Sequence, residues 1–290
     1  MVPGPPSPNE IVSPDFAVPY SNQFSAGVSH QISDVSAIDV DYVRVQFRDQ
    51  YIRFRSNGTV NGERILPGFG TGRLWSNEGF ADYNGLSLSY RHRLSKKFQF
   101  QGSYTLSKIE GNNLAGSDEF RLGQTRNLGC KDCVLDFKNS PKDDPRQKGP
   151  LDTDARHIVI LSGIYDLPAD FQVTGFLRAN SKRPFNIFSK ADPGTGFTYS
   201  LPPGVDHVNS GTATSFSQVD MRISKKFRIK DTVNVQGILE VFNVFNAKNP
   251  NSTYTVGNIS SATFGTQTFF AGDPESGDQR LAQLGFRFEF

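Results

Sequence analysis

The chain has 290 residues, room for one large or two ordinary domains, and its 31 basic and 29 acidic side chains leave a net charge of +2 spread along the sequence. That balance offers no basic stripe for nucleic acid, and 25 Phe with 27 Gly and 17 Pro, against 2 Met and 1 Trp, describe aromatic-rich strands parted by turns rather than helices. A mean hydropathy of −0.44 and the lack of any run of about 18 apolar residues exclude a membrane-crossing helix, but not a barrel, whose strands turn only alternate residues to lipid.

Residues 1–10 carry Pro3, Pro5, Pro6 and Pro8 and show neither a basic n-region nor an apolar h-region, so no export signal is read there. Residues 1–20 are expected to form a loop or entry segment, and 21–290 the folded domain.

Alternation at period two then predicts about nine strands, each near the roughly 9–11 residues that a tilted membrane strand needs. The first is 24–32, with Phe24, Ala26, Val28, His30 and Ile32 on one face. The second covers 38–54, and its apolar parity changes from Val40 and Tyr42 to Val43, Val45 and Phe47, which predicts a β-bulge or a change of register. Strands over 84–94 and 98–107 form the clearest hairpin, joined by Ser95, Lys96 and Lys97. In the second of these, Phe98, Phe100, Gly102, Tyr104 and Leu106 face away from Gln99, Gln101, Ser103, Thr105 and Ser107. Next come 156–167 and 171–181 around Pro168-Ala169-Asp170, then 216–227 and 233–245, and last 279–290.

Short turns (32–37, 95–97, 168–170, 228–232) alternate with long segments (about 55–83, 108–155, 182–214, 246–278), which is the asymmetry of transmembrane barrels rather than of soluble sandwiches. The long segments are rich in Gly, Pro, Asn, Asp and Ser and are read as loops without helices. With the long loops outside the cell, the last strand runs inward and sets Phe290 at the periplasmic rim. The fold class is therefore all-β, an antiparallel transmembrane β-barrel, in the outer membrane of a Gram-negative-type bacterium.

In the last strand Ala282, Leu284, Phe286, Phe288 and Phe290 share one face, and Gln283, Gly285, Arg287 and Glu289 the other. Leu284, Phe286, Phe288 and Phe290 resemble the signal by which the barrel-insertion machinery recognises its clients; the bland reading is an amphipathic edge strand. The chain as a whole resembles the C-terminal part of a TonB-dependent receptor barrel of the Oar-like group. The resemblance is carried by Tyr83-Asn-Gly-Leu-Ser-Leu-Ser-Tyr-Arg-His-Arg93, Phe98-Gln-Phe-Gln-Gly-Ser-Tyr-Thr-Leu-Ser-Lys108, Asp154-Ala-Arg-His157, Leu161-Ser-Gly-Ile-Tyr-Asp-Leu-Pro168, Arg183-Pro-Phe-Asn186 and Glu240-Val-Phe-Asn-Val-Phe-Asn246. It implies nine strands of a 22-stranded barrel whose signal peptide, plug domain and first strands are absent from this chain. It also implies energised uptake of a bulky, unknown solute, with outer-membrane lipid and the insertion machinery as partners and the TonB system engaged only through the absent N-terminal part. The other readings are a structural or adhesive barrel protein and a small passive porin.

No reading as an enzyme emerges, and neither a cofactor nor a metal is expected. Cys130 and Cys133 have a CxxC spacing that suits a redox site, half a zinc site or a small disulfide loop, and a loop in an oxidising compartment favours the disulfide. His30, His92, His157 and His207 show no ligand spacing, and no serine has a nucleophile's context. Asp143, Asp144, Asp152 and Asp154 are interleaved with Lys142, Arg146 and Lys148, which offset a calcium site. Arg44, Arg91, Arg178, Arg222, Glu240 and Arg287 are expected to face the lumen, where they would meet solute or simply pair across the wall.

Overall fold

A strand in hydrocarbon has no water to bond, so each of these segments is stable only beside another. A computed structural model shows how they pair, and it describes residues 11–56, 59–60, 63–64, 68, 72–112, 125–126, 148–187, 202, 204–230, 233–251, 255–272 and 279–290. The long strands are β1 (Tyr20–Ser33), β2 (Ser36–Ser56), β3 (Gly72–Ser95), β4 (Phe98–Gly111), β5 (His157–Leu167), β6 (Phe171–Asn180), β7 (Phe216–Lys230), β8 (Val233–Phe242) and β9 (Leu281–Glu289). They pair in sequence order from β1 to β9, always antiparallel, as one meander. No helix of the described residues is long and apolar enough to cross a membrane.

The connections after β1, β3, β5 and β7 are two or three residues long, and the others run from Ser56 to Gly72, Gly111 to His157, Asn180 to Phe216 and Phe242 to Leu281. The two kinds therefore lie at opposite ends of the sheet, a turn end and a loop end. Lys96 and Lys97, at φ 47° and 74°, make the two-residue turn whose left-handed residues match the twist of a hairpin.

The registers put one continuous apolar surface on one face. A row of directly paired residues runs Val28, Val40, Leu88, Tyr104, Val159, Ala179, Ser217. It starts in the middle of the apolar stretch of β1 and ends at its polar upper limit on β7. The row through Leu284, Leu239, Ile223, Val173, Tyr165 and Phe98 starts mid-stretch on β9 and ends at the turn end of β4. The belt thus drifts by about one residue per strand. At about 3.3 Å per residue and about 4.8 Å between strands, that drift is a strand tilt of about 35°, as closed barrels have.

The other face is polar. It carries Ser87 hydrogen-bonded to Thr105 (2.9 Å), Gln236 donating to Ser224 (3.0 Å), and ion pairs Arg91 to Asp39 (3.3 Å), Arg222 to Glu240 (3.7 Å) and Lys226 to Glu289 (3.0 Å).

Strands β2 and β3 differ from the sequence expectation in length and in the bulge. Both continue past the belt toward the loop end, where residues 47–56 pair with 72–81. The parity change at Val43 is not a bulge: the ladders of β2 with β1 and with β3 run unbroken through it. Above the belt the outer face meets water, so Arg44, Gln46 and Arg48 take the parity that Val40 and Tyr42 hold in lipid, while Val43, Val45 and Phe47 turn inward. Arg48 there pairs with Asp82 at 2.7 Å, and Lys108 with Glu110. The real irregularity lies at Asp49, with φ 54°. The entry segment runs beside this extension: Ile11–Val12 pairs in parallel with Leu74 and Trp75, Phe16 stacks on Tyr51 (4.5 Å), and Asn77 bonds Ala17 N–H and C=O, both at 2.6 Å.

The belt is directly testable. Leu88→Arg, at its centre, is expected to cost roughly 2–4 kcal/mol in urea unfolding from detergent micelles or lipid vesicles, while Ser89→Arg, one residue on and facing inward, costs under about 1 kcal/mol. Equal costs would show that the two faces are misassigned.

Candidate functional site

The inner face has a structured roof at the loop end, built from residues 148–156, 181–187, 204–215, 243–251 and 255–272. Asparagine makes it possible, because its side-chain amide presents the same donor and acceptor as a peptide group and so adds a rung where a ladder stops. Asn112 accepts from Phe80 N–H (2.7 Å) and donates to Glu78 C=O (2.7 Å). Asn249 accepts from Ser217 N–H (3.0 Å) and donates to Ser217 C=O (2.9 Å), pulling the segment after β8 across the start of β7. Asn243, at φ 51°, closes its own turn on Ala247 (2.9 and 3.0 Å), and its N–H donates to Asp220 (2.8 Å). Asn209 reaches Pro150 C=O at 2.8 Å. All four are buried.

These clamps hold a small apolar core of Leu151, Ala155, Phe185, Val208 and Ala213, all buried, with Phe185 and Phe264 6.1 Å apart. The short pair Pro184–Phe185 with Gly211–Thr212 ties two of the segments, and Ala213 N–H donates to Arg183 C=O (2.9 Å). Beneath lies a cavity of about 300 Å³ against the inner wall, whose polar lining comprises Arg178, Asn180, Arg183, Thr214 and Asn251, with Phe216 among its apolar residues. Arg178 stands over the rings of Phe176 and Phe216, 5.7 Å from each.

Two carboxyls sit in the roof. Asp154 accepts from Ile109 N–H (3.0 Å), and burial raises its pKa. Asp152 is raised to about 6 by burial, against the pull of the Arg183 guanidinium. Its Oδ1 and the Nε of Arg183 are both buried without a hydrogen-bond partner. At the turn end a smaller cavity, about 200 Å³, is lined by Ser29, Asp34, Arg91 and Arg93 among others.

Of the six residues expected in the lumen, Arg91, Arg178, Arg222, Glu240 and Arg287 lie on the inner face by register. Arg44 does not: it pairs with Phe24 and Asn84 on the outer face, above the belt, where its charge is solvated. Phe242 lies on the inner face opposite Leu281, whereas Phe245 is exposed.

The histidines are dispersed. His30 and His92 lie on the outer face, His92 between Ser36 (2.8 Å) and Ser95 (3.0 Å). His157 bonds Tyr104 (2.8 Å), and His207 bonds Val208 C=O (2.8 Å). Among the described residues no three His, Cys, Asp or Glu gather as metal ligands. Cys130, Cys133, Asp143 and Asp144 lie outside the described residues. Leu284, Phe286 and Phe288 extend exposed from one face of the edge strand β9, and Phe290 follows it fully exposed. The sequence reading missed Asn77, Asn112, Asn209 and Asn249, because a clamp's partner lies on another segment and leaves no local period.

Residues 2–202 match the model of a family described as the outer membrane beta barrel domain. The chain belongs to that family. Its belt therefore faces outer-membrane lipid, and its polar face is that of a barrel wall. No curated protein matches the sequence. In fold, the barrel domain is similar to the outer membrane transporter YddB from Escherichia coli, at 14% identity and TM-score 0.59, over 98% of this chain and 34% of that one. It is also similar to the FrpB iron transporter from Neisseria meningitidis (17%, TM-score 0.51, 97% and 32%) and to BauA, the ferric preacinetobactin receptor from Acinetobacter baumannii (11%, TM-score 0.53, 93% and 29%). The chain spans about a third of the length of these proteins.

The roof should respond to pH through Asp152. Its folded pKa, about 6, lies above the ordinary 3.8, so the roof is most stable below about pH 4, loses stability as pH rises to about 6, and stays level beyond. The change is on the order of 3 kcal/mol. Hydrogen exchange at the amides of Leu151 and Asp154, corrected for intrinsic rates, measures it, and Asp152→Asn should reduce the pH dependence to the part left by Asp154. A pH-independent parent would show that this carboxyl titrates normally.

Proposed function

We propose that this barrel domain is the C-terminal part of a TonB-dependent receptor of the Oar-like group, taking up a bulky solute across the outer membrane with energy delivered from the inner membrane. The observation that carries the reading is the joint arrangement of a tilted belt, a polar inner wall and a clamped roof over a cavity on that wall. A passive pore has little use for a roofed, charged recess, and a purely adhesive surface would display its chemistry outward. The similarity in fold to outer-membrane transporters and receptors supports the same reading.

The sheet has two free edges, β1 and β9, inside the belt. Unpaired N–H and C=O groups are not tolerated there, so further strands must meet both. Since β1 and β9 point the same way in the meander, antiparallel closure takes an odd number of added strands; the thirteen of a barrel of about 22 strands satisfy that parity. In this reading the long loops are extracellular, and coupling to the TonB system is made by a plug held inside the completed barrel.

The test pairs two measurements on the full gene product from the source genome. A receptor gives no steady conductance in a planar lipid bilayer and binds the periplasmic domain of TonB. Steady conductance without TonB binding would establish the passive porin instead, and absence of both would favour the adhesive protein.

The exposed face of β9 serves in this proposal as the insertion signal, read through Leu284, Phe286, Phe288 and Phe290. Phe290→Ala is expected to slow assembly by the purified insertion machinery in proteoliposomes several-fold, with little effect on spontaneous folding into detergent. Loss of both rates in parallel would assign Phe290 a merely structural part.

A further inference from the structure

The cavity beneath the roof has two arginines in its wall, and among the described residues no carboxylate lines it. Arg178 projects inward from β6, with its guanidinium carbon 5.7 Å from the ring centroids of Phe176 and Phe216. Arg183 belongs to the segment leaving β6, held by Ala213 and by the Pro184–Phe185 pairing, so its position is set by backbone bonds. Its buried Nε lacks a hydrogen-bond partner, an arrangement that costs free energy until an acceptor arrives. Asp152 lies close enough for its field to reach Arg183, but it is not among the residues that line the cavity. Asn180, Thr214 and Asn251 add neutral polar groups around the two cations. A space of about 300 Å³ accepts one end of a bulky molecule and not the whole.

We infer that this recess is a subsite for an oxyanionic group, carboxylate or phosphate, at one end of the solute, held by Arg178 and Arg183. The inference rests on the transport reading for its biological sense; the binding itself does not need TonB. A planar fork of N–H donors matches the paired oxygens of either anion, and both arginines are partly withdrawn from solvent, which strengthens each charge-assisted bond.

The full gene product, folded in detergent micelles, is titrated calorimetrically with citrate and with inorganic pyrophosphate at fixed ionic strength, with spermidine as the cationic comparison. In parallel, phenylglyoxal labelling read by mass spectrometry follows the accessibility of each arginine. Binding of an anion, without binding of spermidine, and protection of Arg178 and Arg183 are expected; the tighter of the two anions distinguishes carboxylate from phosphate. Arg178→Gln and Arg183→Gln should each weaken binding at least about tenfold, and Arg183→Lys should restore part of it. Heat-modifiable gel migration establishes that each variant is folded, and the labelling of the parent needs no variant. If neither anion binds at millimolar concentration, or if binding leaves both arginines as reactive as before, the subsite is refuted. TonB binding without anion binding would refute the subsite alone, and anion binding without TonB binding would refute only the transport reading.

Discussion

The structure depends on one constraint: within hydrocarbon, every backbone N–H and C=O must find its partner on a neighbouring strand. Through the belt, the nine long strands of the described residues meet it by pairing each with its neighbour in sequence, which lets turns of two or three residues close one end of the sheet. Those tight turns leave all the chain's variable length to the other end. The same constraint makes β1 and β9 the two places where the sheet must be completed.

Given that ladder, the side chains need only respect parity, and parity follows the medium outside. Where the medium is lipid, the outer residues are Val40, Leu88, Tyr104 and their partners; where it is water, they are Arg44, Arg48 and Lys108. The strand does not change register between the two zones. The drift of the belt across the sheet is what a tilted strand shows when a flat membrane is drawn across it, and the registers give a barrel-like tilt without reference to any closed structure.

The roof extends the logic of the ladder beyond the membrane. Buried asparagines replace missing strand partners: Asn112 and Asn249 each exchange a donor and an acceptor with backbone of another segment, Asn209 donates to one, and Asn243 holds its own turn in place. The segments so fixed flank Arg178 and Arg183 and partly bury Asp152, and a charge withdrawn even in part from solvent has more effect on a ligand than one in open water. Function in this domain is thereby concentrated in a few polar groups placed by an otherwise repetitive wall.

Alternation alone identified the strands, the hairpin at Lys96 and Lys97, the division of the last strand into Leu284, Phe286 and Phe288 against Gln283, Arg287 and Glu289, and the asymmetry of the connections. It could do so because period two is imposed by the backbone itself and needs no knowledge of neighbours. What alternation marks is a contrast between two faces, not which face meets lipid, so it misread the crossover at Val43 as a bulge and sent Arg44 inward. Only the tertiary structure decided the height of each residue relative to the belt, the extensions of β2 and β3 above it, the asparagine clamps, and the meeting of Arg178, Arg183 and Asn251. Those depend on register between segments far apart in the chain, and register is a property of pairs of strands that no single strand carries.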